Sequence, residues 1–294
     1  MKSILKNPPA YVIIFALIPS ATTVIWVRLA AEAPGLAVSF WRMVFSLILC
    51  LPLLYLERGQ IKYLTKKELL ICALSGFFLA LHFATWLSAI NLTTVAAAAS
   101  LVTTAPIWVA IINAVLFRKK PTKIVIISLI STIAGSVIIA FGGGNEASLG
   151  NLDGNILALF GAISVAGYLI AGNYVRKTVG PGIYVTITFA IATIFLAIFT
   201  FALRVPFTPY APNTFLAIFA MAFFCSIGGH VVFSWLVKYH GAMFISLAVL
   251  SEPILASIYA FFLFDETPPL ATILGGAMII AGLAYYIKKE QTQA

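Results

Sequence analysis

Charge is confined in this chain. Ten long apolar runs divide it, and fifteen of its eighteen Lys and Arg residues fall in alternate gaps between those runs. A charge in hydrocarbon is costly, and backbone polar groups there must be satisfied within the segment, so runs of this kind fold as membrane-spanning helices. With 62% hydrophobic and 9% charged residues, the chain lies far outside the composition of a soluble domain. The net charge of +9 would suggest nucleic acid in a soluble protein. Here the basic residues flank spans, where they orient helices, and nucleic acid is not expected as a partner. Cys50, Cys72 and Cys225 all lie inside apolar runs without metal-ligand or redox spacing and read as small core residues.

The runs predict helices at 10–29, 36–56, 68–90, 93–117, 122–142, 152–175, 181–203, 213–238, 241–264 and 269–287, most near the ~20 residues that a bilayer core requires. The connections are short and often contain Pro or Gly, as at Ala33-Pro34-Gly35, Gly180-Pro181-Gly182 and Thr267-Pro268-Pro269, which leaves no room for a soluble domain. The first run lacks a small-residue cleavage site and reads as a retained span. Lys2, Lys6, the 57–68 loop, Arg118 to Lys123, Arg176-Lys177, Lys238 and Lys288-Lys289 share one side if there are ten spans. Basic residues collect on the cytoplasmic side, so both termini are expected there.

An internal repeat is the second strong signal. A shift of 147 residues lays Ala105-Pro106-Ile107 on Glu252-Pro253-Ile254, Leu116-Phe117 on Leu263-Phe264, Pro121 on Pro268, Ile133-Ala134-Gly135 on Ile280-Ala281-Gly282, and Pro34-Gly35 on Pro181-Gly182. The weight rests on the prolines and glycines, which have specific backbone roles. The two units expected are 8–142 and 152–289, each with five spans. An odd number of spans inverts the second copy relative to the first, and inverted repeats are an architecture of secondary transporters. The fold class expected is therefore an all-α membrane protein of ten transmembrane helices in two inverted five-helix repeats.

At these residues the chain resembles the ten-helix EamA-type branch of the drug/metabolite transporter superfamily: a Pro in the fourth helix of each repeat, an apolar run ending in Leu-Phe, then Pro and an Ile-Ala-Gly helix. Ser251-Glu252-Pro253-Ile254-Leu255-Ala256 through Phe264-Asp265-Glu266 is similar to the family's usual ninth helix with its acidic exit. The first repeat departs from that pattern with Arg118-Lys119-Lys120, so no function is assigned to that corner. The resemblance implies a multi-pass transporter of the inner membrane, mostly exporting amino acids, other small metabolites or drugs, and leaves the substrate open.

Polar side chains at membrane depth are the candidate pathway. Glu252 leads, near the middle of the ninth span and ahead of Pro253, which loosens the helix one turn back. His82 and Trp86 sit four apart on one face of the third span. His230 and Trp235 are their counterparts in the eighth, once a small offset is allowed. Ser100, Thr103 and Thr104 form a hydroxyl stripe in the fourth span, opposite Ser251 and Glu252, and Tyr168 lies among glycines in the sixth. Arg42, about two turns inside the second span, is read as snorkelling outward to the interface.

Catalysis is disfavoured. The chain has no GxxxxGK[ST] loop, no H-E-x-x-H, no G-x-S-x-G elbow and no pair of carboxylates within a span. Without an ATP motif, pumping would draw on an ion or proton gradient, or transport would run downhill. The reading is a monomeric secondary transporter without cofactor or metal, embedded in a lipid bilayer, that moves a small amphipathic metabolite such as an amino acid by alternating access. A channel or a structural membrane subunit is the alternative.

Overall fold

Prolines, caps and short turns partition the chain into helices in a computed structural model that describes residues 8–93, 98, 101–141, 152–265 and 267–293. Helices are the only regular elements among the described residues. A single 3-10 turn, Ala10–Ile13, leads into α1 (Ile14–Ala21) and α2 (Thr23–Leu29). Then come α3 (Gly35–Glu57), α4 (Lys66–Leu92), α5 (Ala105–Leu116) and α6 (Lys123–Phe141). The second half holds α7 (Leu152–Val175), α8 (Pro181–Ala202), α9 (Pro212–Met221), a π-helical segment (Ala222–Val231), α10 (Val232–Val249), α11 (Glu252–Phe264) and α12 (Leu270–Gln293). Among the described residues seven stretches are long and apolar enough to cross a membrane, and Ala105–Leu116, Lys123–Ile139 and Glu252–Leu263 are shorter apolar helices. The chain is a multi-pass membrane protein.

Local chemistry sets the helix ends. Thr65 and Glu68 form a capping box at the start of α4, each side chain accepting from the other's backbone N–H. Pro181 and Pro212 occupy first positions of helices, where a missing N–H leaves nothing unsatisfied. The end of α5 and the end of α11 use the same device: Arg118 and Asp265, 147 residues apart, both hold φ of 54°. Asp tolerates this left-handed geometry better than most residues, so the acidic exit noted in the sequence is a helix terminator, and Arg118 adopts the same turn with a poorer residue.

Two expected helices are broken. The 93–117 and 241–264 spans were read as continuous, yet turns interrupt them at Thr103-Thr104 and at Leu250-Ser251, again 147 residues apart. Pro106 has no N–H to give the Val102 carbonyl, and Pro253 none for Val249, while each proline ring crowds that carbonyl. Shorter i to i−3 bonds fill both gaps. Thr104 N donates to Leu101 O at 3.2 Å and Ile107 N to Thr104 O at 2.9 Å; Ser251 N donates to Ala248 O at 2.9 Å and Ile254 N to Ser251 O at 3.1 Å. The boundary expected between the eighth and ninth spans falls at Gly241, where φ of 80° and ψ of 166° leave the helical region and divide α10; that φ suits a residue without a Cβ.

Helix packing follows small residues. α6 lies on α12 so closely that a Cβ on Gly135 would sit 2.4 Å from the Gly275 carbonyl oxygen, and one on Gly275 2.3 Å from that of Gly135. Gly282 faces Ser128 in the same way, and Ser131 Oγ donates to Met278 O at 2.8 Å. As the number rises along one helix it falls along the other, so the two run antiparallel. α4 packs on α7, α8 on α3, and α1 on the π segment, which leaves a gap where their inner faces meet.

Candidate functional site

That gap is a cavity of about 200 Å3, lined from both halves of the chain. Its walls come from α1 and α2 (Ser20, Thr23), α3 (Arg42), α4 (His82, Phe83, Trp86), the first break and α5 (Val102, Thr103, Ala105), α7 (Val165, Tyr168, Leu169), the π segment and α10 (His230, Phe233), and the second break with its flanks (Ile245, Ser246, Val249, Leu250, Glu252, Pro253).

Glu252 is the first residue of α11, where unpaired backbone N–H groups and the helix dipole favour a negative charge. The break before Pro253 therefore turns a helix middle into a helix start. Ser20 Oγ donates to Glu252 Oε1 at 2.5 Å, from the stretch of α1 that Pro19 disturbs. Arg42 supplies the opposite charge. It is 2% exposed, donates Nε to Ser226 Oγ at 3.1 Å, and holds its guanidinium 4.5 Å above the Phe83 ring. The expectation that Arg42 snorkels to the interface is therefore wrong. Packing of α3 against the π segment turns it inward, where Ser226 and an aromatic face replace water. Arg42 and Glu252 are near enough to feel each other's charge, but among the described residues no carboxylate stands within ion-pair distance of the guanidinium.

The imidazoles differ from each other. His82 Nδ1 lies 2.9 Å from the Gly161 carbonyl, which can only accept, so Nδ1 carries the proton and the neutral ring keeps Nε2 as an acceptor. Its ring stacks on Trp86 with 5.9 Å between centroids and 6° between planes. Among the described residues His230 Nδ1 is buried without a hydrogen-bond partner, in a ring packed against Phe83, Tyr168 and Phe233 at 5.5, 6.1 and 6.1 Å.

His82, Trp86, Thr103, Tyr168, His230 and Glu252 thus meet around one cavity. Thr104 and Ser251 do not line it: Thr104 Oγ1 donates to Leu101 O at 2.6 Å and accepts from Trp108 Nε1 at 3.2 Å, and Ser251 sits in the turn between two lining residues. Ser100 lies outside the described residues. Trp235 does not serve as the counterpart of Trp86, because it points to a separate cavity near the end of α7. The unshifted offset gives the better pairing. Phe83 and His230, Trp86 and Phe233, Val102 and Val249, Thr103 and Leu250, and Ala105 and Glu252 all line the cavity, and each pair is 147 residues apart. Sequence reasoning also missed Ser20, Thr23 and Phe83; the Pro19-Ser20 pair in the first span was the available signal.

Comparison with known proteins agrees with this architecture. An uncharacterized transporter of Archaeoglobus fulgidus is 27% identical over 258 residues, spanning 86% of this chain and 87% of its own. The uncharacterized transporter YdfC of Bacillus subtilis is 25% identical over 193 residues, 65% of this chain and 62% of its own. One crystal structure shares the fold across 94% of this chain and 95% of its own, with a TM-score of 0.76 at 17% identity. The family model matches twice, at residues 8–141 and 152–287, on either side of the 142–151 connection. The chain is a membrane transporter and belongs to the EamA-like transporter family.

Proposed function

We propose that the chain is a ten-span secondary transporter of the inner membrane, built as two inverted repeats over 8–142 and 152–289, which exports a small zwitterionic metabolite such as an amino acid by alternating access. The observation that carries this reading is the cavity's composition: one buried guanidinium without a carboxylate partner among the described residues and one carboxylate at a helix start, amid imidazole, indole and hydroxyl groups. A substrate carboxylate would supply the partner that Arg42 lacks, and a substrate ammonium would answer Glu252. The aromatic walls suit an apolar side chain.

The inverted arrangement is supported by the two helix breaks at one offset, by the antiparallel α6 and α12 packing, and by the contacts of Phe83 with His230 and of Ser131 with Met278, residues 147 apart. Repeat-equivalent residues touch where a pseudo-two-fold axis passes between them, and a site on that axis can be opened from either side by rocking one half against the other. The axis fixes the frame, while the chemistry is asymmetric: Ala105 stands where Glu252 does, and Phe83 where His230 does. One substrate orientation is thereby favoured. Cytoplasmic termini follow from the basic loops, and export follows the family resemblance. Glu252 and the imidazoles are the groups through which protons would couple.

The test is transport in proteoliposomes against a panel of amino acids, with and without an imposed pH gradient. Saturable movement of one or a few of them, altered by the gradient, is expected. Ion-selective currents that need no substrate would replace this reading with that of a channel.

A further inference from the structure

A second cavity, of about 270 Å3, opens around the end of α7 and the start of α8, lined by Glu57, Gln60, Arg176, Thr178, Trp235, Lys238 and Tyr239 among others. Arg176 is its unusual member. It is 2% exposed, yet its hydrogen bonds among the described residues go to main-chain carbonyls: Nε donates to Ser234 O at 2.9 Å and Nη1 to Val179 O. A guanidinium has five N–H donors, so three remain for a ligand. Among the described residues neither Arg176 nor Lys238 has a carboxylate within ion-pair distance. The one carboxylate in the lining, Glu57, instead accepts the Ile183 N–H at 3.0 Å, capping α8. The cavity thus holds two cations against one engaged anion, with Trp235 and Tyr239 as an aromatic wall whose ring centroids are 6.2 Å apart.

Its position relative to the central cavity follows from helix periodicity. Tyr168, Gly172 and Arg176 recur every fourth residue along α7, as do His230, Ser234 and Lys238 along the helix facing it. The first member of each row lines the central cavity and the last lines the second, so the two lie about 12 Å apart at 1.5 Å of rise per residue. The Arg176 to Ser234 bond crosses between the rows at the inner edge of the second cavity.

We propose that this second cavity is a loading site for a small organic carboxylate, bound by Arg176 and Lys238 against Trp235 before it reaches the central cavity. Binding gives the Arg176 guanidinium a charged acceptor in place of neutral carbonyls, and so weakens the tie that joins α7 to the facing helix. The proposal of a loading role rests on the transporter reading above; the binding site itself does not.

The experiment uses the purified full chain with Cys50, Cys72 and Cys225 replaced by Ala and Gln60→Cys introduced, in detergent, where both faces are open. Labelling of the new thiol by a maleimide is timed with sodium benzoate, with the neutral isostere benzamide, and with neither. Benzoate should slow labelling several-fold and benzamide should not. Arg176→Gln should abolish the protection, and Lys238→Gln, at an exposed position, should raise the half-protecting benzoate concentration several-fold without disturbing the fold. Glu252→Gln should leave it intact. Equal labelling with benzoate and benzamide overturns the site, as does protection that survives both cation replacements or vanishes with Glu252→Gln. Nanodiscs separate a lipid source: Arg176-dependent shielding by anionic lipid, with no effect of benzoate, would assign the cavity to headgroups and overturn the proposal. Benzoate protection in a chain that moves no amino acid would overturn the transporter reading and keep the site.

Discussion

Arg42 and Glu252 give the central cavity its polarity, and among the described residues each has one polar side-chain hydrogen-bond partner, Ser226 and Ser20 respectively. Removing a charge therefore separates shape from function. Glu252→Gln keeps the size and can still accept from Ser20, so transport should fall to background while the amount of folded protein in the membrane stays near parental. Full transport with an unchanged pH profile would make the carboxyl structural. Arg42→Lys keeps the charge but loses the planar fork and the Nε donor, and should weaken substrate binding by about tenfold, the loss expected when one charge-assisted bond becomes a solvated point charge. Isothermal titration with the transported substrate reads it out. That both residues fall within apolar runs was legible in the sequence. Rotation was not: Arg42 lies near enough to a span end to reach the interface, and only packing of α3 against the π segment decides that it turns inward.

Between elements, the tightest approach is the antiparallel crossing of α6 and α12, where Gly135 and Gly275 each leave no room for a methyl group against the other's carbonyl. Gly135→Ala or Gly275→Ala should cost about 1–3 kcal/mol through overpacking, seen as a lower unfolding temperature in detergent. The two together should cost less than the sum, because the first already separates the helices. Unchanged stability in both would mean the crossing is looser than described. The breaks in the fourth and ninth spans were half legible: Pro106 and Pro253 marked where the helices weaken, but the full interruption and the helix start it creates for Glu252 needed the backbone itself. The π segment at Ala222–Val231 carried no sequence signal that periodicity could separate from an α-helix, and it holds His230 against Phe83. Trp235 looked like the counterpart of Trp86 because it is an indole within two residues of the 147-residue offset, when Phe233, at that offset, holds the place.

For the molecule as a whole, the apolar runs and the 147-residue offset carried the multi-pass helical fold and its twofold family match, because the cost of burying charge and the backbone roles of Pro and Gly act locally and leave marks in sequence. The site was legible as a set of buried polar groups and not as a cavity, since which faces converge depends on helix rotation. Sidedness makes its own prediction: a thiol introduced at Asn145 should react from outside intact cells and one at Lys120 only after permeabilisation, and the reverse pattern defeats the topology. The most direct test of a substrate seated in the central cavity is the rate at which a small water-soluble thiol reagent modifies Trp86→Cys, in a chain lacking the three native cysteines and reconstituted in proteoliposomes. Saturating transported substrate should slow that rate at least several-fold, with half-protection at the concentration that half-saturates transport. An equal rate with and without substrate, or reaction with lipid-phase reagents alone, would contradict the account.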